Sequence, residues 1–344
     1  MILDGKNVLI TGGTGSLGNK LVRHIMTGKA GIPSKIVIFS RDEDKQHSMK
    51  LALSNIKIAT DDIDYGFSNQ VLSFHIGDVK DYDSLVDVVK EANIIIHAAA
   101  LKQVPTAEYF PFESVKTNIL GTHNLIRAVK EFGKKVETVL LISTDKACKP
   151  ISAYGMCKAL QERIIVQANL DDEKTNYICV RYGNVIASRG SVLPLFMEQI
   201  NNDGPVTITT KEMTRFWLNL DTAVSIIIDA LKLARRGEIF VPNLSSAKIV
   251  DIVDVMIGEK NISKVFTGMR PGEKHHEILI TEEELPRTLK RANYYVVCPI
   301  IPELQKESIS GNDLTKEYSS EDHTLSMDEI KSLLQQEGFI DKSR

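Results

Sequence analysis

The sequence predicts an α/β fold built on a doubly wound parallel sheet, with a smaller region after it, and three observations lead there. Short β-branched runs at 7–11, 35–39, 71–76, 94–97, 138–143 and 177–181 alternate with helix-sized segments, as they do where parallel strands are joined by crossover helices. A glycine-rich turn, Thr11-Gly12-Gly13-Thr14-Gly15-Ser16-Leu17-Gly18, follows the first run directly. After about Ile186 the regularity is broken by Gly190, Pro194, Gly204 and Pro205, where a second region is expected to begin.

Each segment supports that division. Residues 1–186 read as the sheet domain, 187–300 as a mainly ligand-binding region whose later segments return to the sheet, and 301–344 as a C-terminal extension. A helical pattern covers 221–234, and an RPGEK loop spans 270–274. The polar stretch 303–324 is expected to run extended over the surface. Ser326 with Glu329 three residues on forms a capping box for a last helix to about Gln336.

Bulk properties narrow the function. The 344 residues are 43% hydrophobic and 25% charged, enough apolar material for a full core, which excludes a disordered chain. A net charge of -3 gives no broad attraction to nucleic acid or to an anionic membrane, so any anion must be held locally. Cys148, Cys157, Cys179 and Cys298 show neither CxxC nor Cys/His ligand spacing, so no metal site or disulfide framework is expected. They read as reduced thiols of a cytoplasmic protein. The first ten residues carry Asp4 and lack the parts of a signal peptide. No apolar run approaches the roughly 20 residues that span a bilayer, so membrane insertion is not expected.

The glycine turn has a specific use. Small residues at Gly12, Thr14, Gly15, Ser16 and Gly18, with Leu17 between the last two, let a pyrophosphate approach the backbone, and the following helix N-terminus supplies N–H groups and positive dipole. That makes the sheet a Rossmann-type dinucleotide fold. The second strand ends at Ser40-Arg41-Asp42, with Lys45 a turn later. An arginine where an acid would hold a ribose 2′-hydroxyl suits a 2′-phosphate, so NADP is favoured over NAD. Asp78 and Val79 follow the third strand and are placed for the adenine, while Ala98, Ala99 and Ala100 follow the fourth, where the cofactor would cross the sheet edge.

Tyr154 and Lys158 are four apart and so share one helix face. An ammonium beside a phenol is expected to pull its pKa below about 10 and make a base for a sugar hydroxyl. Ser143 and Thr144 end a strand just upstream, within reach of the same oxygen. Asp145 and Lys146 follow at once, an acid and an amine side by side. Hydride transfer or epimerisation needs only the tyrosine, whereas elimination of water needs more, and this pair favours a dehydratase.

At this point the sequence resembles a family, the inverting UDP-N-acetylglucosamine 4,6-dehydratases of pseudaminic acid, capsule or O-antigen biosynthesis, within the extended short-chain dehydrogenase/reductases. The matching stretches are TGGTGSLG (11–18), SRDEDKQ (40–46), HAAALKQVPTAEYFPFESVKTNILGT (97–122), STDKACKPISAYGMCK (143–158), RYGNVIASRGSVLPLF (181–196), MTRFW (213–217) and MRPGEKHHE (269–277). The resemblance implies that Tyr154 removes the O4 proton as hydride leaves C4, with Thr144 and Lys158 orienting it. It implies further that Lys146 takes the C5 proton while Asp145 protonates the departing 6-hydroxyl, and that hydride returns to C6 with inversion at C5. It places Lys102, Asn118 and Val185 beside the cofactor, and Lys102, Asn184, Arg189, Gly190, Ser191, Val192, Leu193, Thr209, Arg215, Arg270 and Glu273 beside the UDP-sugar. Some capsule-type members carry methionine where Tyr154 stands, so the chain is intermediate between subgroups. A C5-retaining enzyme, a 5,6-alkene-releasing enzyme, a UDP-sugar 4-epimerase and a catalytically silent NADP-binding scaffold are the alternatives. A homo-oligomer is expected, since such enzymes commonly pair through two helices.

Overall fold

The computed structural model of the protein describes residues 1–54, 71–186, 192–305, 311–322 and 324–340. The first six strands are β1 (Asn7–Thr11), β2 (Lys35–Ser40), β3 (Leu72–Ile76), β4 (Ile94–His97), β5 (Thr138–Ile142) and β6 (Asn176–Val180). Each lies within a residue or so of its expected run. They pair in parallel in the order 3-2-1-4-5-6, and Val8 of β1 stands level with Ile36 on one side and Ile94 on the other. Helices on both faces make this sheet a buried layer. All four residues of β4 are buried, which is why these strands read as unbroken apolar runs.

The remaining strands are β7 (Asn184–Val185), β8 (Val206–Ile208), β9 (Thr214–Leu218), β10 (Ile239–Pro242), β11 (Ser246–Lys248), β12 (Lys264–Phe266), β13 (Ile278–Ile280), β14 (Thr288–Arg291), β15 (Tyr294–Val297) and β16 (Tyr318–Ser319). Three of them extend the main sheet. β10 lies parallel to β6, and the hairpin β14–β15 adds antiparallel beyond it. A second core forms from Leu193, Phe196, Ile208, Met213, Trp217, Ile252 and Val253, closed by Ile330 and Leu334 of the last helix, Met327–Gln336. That helix carries the expected capping box between Ser326 and Glu329. The expected helix over 221–234 is Leu220–Leu233, one residue earlier, capped by Asn219.

One expectation is corrected. The stretch 303–324 is not a surface ribbon throughout, because β16 pairs antiparallel with β13 and Tyr318 is 2% exposed. Its ring packs on Phe216 and Tyr295, and its hydroxyl exchanges hydrogen bonds with the Leu244 backbone. A single buried tyrosine in a polar stretch has no periodicity to announce it.

Candidate active site

The carboxyl ends of the parallel strands open into one cleft of about 1050 Å³. Ligands of open α/β sheets bind at this edge. At one end is the glycine turn, between β1 and the helix Ser16–Met26. Gly12 has φ +69°, and a Cβ there would stand 2.8 Å from the Ala99 backbone, so only glycine lets the turn close against the 98–100 segment. Gly15 caps the helix with an extended backbone, placing a helix N-terminus, the part of a helix that favours an anion, against the cleft.

Gly12, Thr14, Gly15, Ser16, Leu17, Gly18, Ser40, Arg41, Asp42, Lys45, Asp78, Val79, Ala98, Ala99, Ala100, Lys102 and Val185, all read from sequence as cofactor contacts, line this cleft. So do Asn184, Val192, Thr209, Arg215, Arg270 and Glu273, read as sugar-nucleotide contacts. Arg41 is more than half exposed and lies 3.6 Å from Asp78. Burial pulls the Lys102 ammonium below its ordinary value. Arg215 donates to the carbonyls of Thr214, Lys274 and His275, so much of its fork fastens the RPGEK loop to β9. Two positions differ from expectation. Asn118 is fully buried and its amide exchanges hydrogen bonds with the Leu101 backbone, shaping the segment that carries Lys102. Leu193 is fully buried in the second core. Arg189, Gly190 and Ser191 lie outside the described residues.

The catalytic candidates come from two adjoining elements. Thr144 caps a 3-10 turn, Asp145–Ala147, at the end of β5, and Ser152 caps the helix Ala153–Asp171, accepting from the Gly155 N–H. A Cβ on Gly155 would lie 2.4 Å from the Lys146 carbonyl oxygen. The glycine therefore lets the turn sit on the helix, bringing Asp145 and Lys146 to Tyr154 and Lys158. Thr144, Lys146, Tyr154 and Lys158 all line the cleft.

Asp145 does not. It is fully buried, with Oδ1 accepting from the Thr144 hydroxyl at 2.9 Å and from Lys146 Nζ at 3.0 Å, while Oδ2 is buried without a hydrogen-bond partner among the described residues. Burial raises its pKa above the usual carboxylate range, more than Lys146 lowers it. Lys146 is 24% exposed on its side chain. Burial pulls its ammonium down, but Asp145 and Glu277 together outweigh that and hold it above its ordinary value.

Tyr154 also departs from expectation. Burial pushes its phenol up to about 12, and the charge of Lys146 and the Thr144 hydroxyl only partly offset this. Lys158, which spacing set beside the phenol, directs its ammonium to the Ile142 carbonyl at 2.6 Å and to Gln161 Oε1 at 2.5 Å. Burial brings Lys158 itself down to about 8.

Sequence reading missed three supporting groups. Gln161 passes the Lys158 bond on to Thr122, whose hydroxyl donates to the Asn118 carbonyl and so accepts from Gln161 and from His97 Nε2. His97 therefore carries its proton on Nε2 and accepts at Nδ1 from Thr11. Burial lowers its imidazole to about 3, so it is neutral. Arg181, fully buried, pairs with Glu162 at 2.7 Å and Glu284 at 2.8 Å, and Glu162 accepts from Ser143. Glu277 lies 3.1 Å from Lys146 Nζ. All lie within or beside the stretches quoted above, but only a fold can reveal a pairing across more than a hundred residues.

Comparison with known proteins gives a consistent set. A family model described as polysaccharide biosynthesis protein matches residues 8–299. A protein of Rickettsia bellii named UDP-glucose 4-epimerase is 40% identical over 340 residues, covering 96% of this chain and 95% of that one. A Campylobacter jejuni protein named UDP-N-acetylglucosamine 4,6-dehydratase (inverting) is 38% identical over 310 residues, covering 89% and 87%. Among solved structures, Pen from Bacillus thuringiensis superposes with a TM-score of 0.87 at 30% identity, covering 99% of this chain and all of that one.

Proposed function

This chain belongs to the polysaccharide biosynthesis protein family, and from that premise we propose that it is a nicotinamide-dependent nucleotide-sugar 4,6-dehydratase acting on UDP-N-acetylglucosamine. One observation carries the reading. An ammonium, Lys146 Nζ, sits in the same cleft as Tyr154 with a buried carboxyl 3.0 Å behind it. Oxidation at C4 gives that pair no work, and elimination of water does.

The cleft suits such a ligand at both ends. The helix N-terminus at the glycine turn suits a pyrophosphate, and Arg41 with Lys45 fits the extra phosphate of NADP better than it fits NAD. Arg270 and Lys102 line the remainder, where a second diphosphate would need cations. The glycine turn, Arg41 and Lys45 would hold a nicotinamide cofactor, which would supply the hydride chemistry at C4 and C6.

The chain's own residues move the protons. Tyr154 takes the proton from O4, with the Thr144 hydroxyl beside it and Lys158 a turn along the helix. For the elimination, a proton shifts from Lys146 Nζ to Asp145 across their 3.0 Å contact, leaving a neutral amine and a carboxylic acid. The amine takes the C5 proton. Since Asp145 is sealed from the cleft, its proton reaches the 6-hydroxyl through Thr144, which is bonded to the same oxygen. Protonation of C5 from the opposite face, by a proton drawn from solvent, gives UDP-2-acetamido-2,6-dideoxy-β-L-arabino-hex-4-ulose.

A UDP-sugar 4-epimerase is the second reading, favoured by the 40%-identical relative of that name. Mass spectrometry of the product separates the two. A product lighter by one water is expected, and an unchanged mass with a C4 epimer establishes the epimerase.

A further inference from the structure

Lys146 is held from two sides, and only one of them belongs to its sequence neighbour. Its Nζ lies 3.0 Å from Asp145 Oδ1 and 3.1 Å from Glu277 Oε1, and Asn184 Oδ1 accepts at 3.3 Å. Glu277 stands just before β13, its side chain 3% exposed, below the loop that Arg215 fastens through the Lys274 and His275 carbonyls. Glu277 Oε2, like Asp145 Oδ2, is buried without a hydrogen-bond partner among the described residues. Two buried carboxylates on one ammonium are costly unless their charge is used. The two are also unequal. Lys146, Arg215 and Lys274 lie around Glu277 and favour its ionised form over the cost of burial, whereas around Asp145 burial and Glu277 favour the acid over the pull of Lys146 and Thr144. Tyr154 faces the same group from the neighbouring helix.

Resting on the dehydratase reading, we infer that Glu277 is a positioning residue for the elimination step: it carries the ionic pairing with Lys146, so that Asp145 is free to hold the proton that leaves with the 6-hydroxyl. In that step the Lys146 ammonium first gives a proton to Asp145 across their 3.0 Å contact; the C5–H bond then breaks and its proton passes to the Lys146 amine, while its electron pair forms the C5–C6 double bond. The C6–O bond breaks, and the Asp145 proton passes through Thr144 to the departing oxygen, which leaves as water. Glu277 holds the ammonium before that shift and again once the C5 proton has arrived.

The test uses Glu277→Gln, nearly the same shape without the charge, in the cofactor-loaded enzyme with UDP-N-acetylglucosamine. Water loss is expected to slow about 10- to 100-fold, with reduced nicotinamide building up ahead of it. The limb of the pH–rate profile that reports Lys146 moves to lower pH, because its ammonium has lost one of two carboxylates. Glu277→Asp recovers part of both effects. Slower turnover with neither accumulation nor a moved limb assigns Glu277 a merely structural part and overturns the inference. Should Glu277→Gln not fold, side-chain NMR of nitrogen-15 lysine in the unaltered protein decides, with Lys146→Met giving the assignment. A protected ammonium at neutral pH upholds the pairing, and a neutral amine overturns it. Water loss by the unaltered enzyme is measured first; its absence would defeat the dehydratase reading, and the NMR result would still decide the pairing.

Discussion

A tyrosine pushed up to about 12 is a poor base until something draws its proton away. Among the charges around it, Lys146 favours its ionised form, while the Lys158 that sequence spacing suggested donates to Ile142 and Gln161. Tyr154→Phe is expected to lower turnover about 100-fold or more while calorimetry still detects UDP-N-acetylglucosamine binding. Equal loss of binding would make the phenol a recognition group and not the base. That Thr144, Lys146, Tyr154 and Lys158 would line one cleft was legible from order and spacing. Their proton states were not, since burial and long-range partners such as Glu277 set them.

The elements that bring the candidates together were the most legible part of the chain. Alternating apolar runs located β1 to β6, and the glycine turn announced the helix that follows. What spacing could not show is how the turn Asp145–Ala147 seats on the helix Ala153–Asp171, a contact that depends on Gly155 having no Cβ. Gly155→Ala forces the Lys146 carbonyl away and is expected to cost about 1–3 kcal/mol of stability, with water loss falling further than a stability change of that size explains. Ser152→Ala provides the contrast. It removes a cap worth about 1 kcal/mol without pressing on Lys146, so thermal melting and turnover of the two variants, measured together, check whether the seating itself matters.

Across the whole molecule, Arg181 joins three segments distant in sequence: its own at the end of β6, the helix bearing Glu162 and the turn bearing Glu284. Burial would raise the Glu284 carboxyl, but Arg181 and Arg287 outweigh it and hold it at about 2. A carboxyl depressed in the folded state stabilises the fold above its unfolded value of about 4.5 and loses that stabilisation as pH falls toward its folded value. Denaturant titrations are therefore expected to show stability falling from about pH 4.5 toward pH 2, and Glu284→Gln flattens that fall while lowering stability at neutral pH. An unchanged acid slope in the variant would remove Glu284 from the account.

The central claim is that the cleft removes water from a nucleotide sugar and does not merely invert C4. The most direct measurement is to incubate the pure protein, loaded with NADP, with UDP-N-acetylglucosamine in deuterated water and to follow the product by mass and proton NMR. The account predicts loss of one water, deuterium at C5, a C6 methyl group, and a C5 coupling pattern of the inverted sugar. A product of unchanged mass, epimeric at C4 and without deuterium at C5, would contradict it.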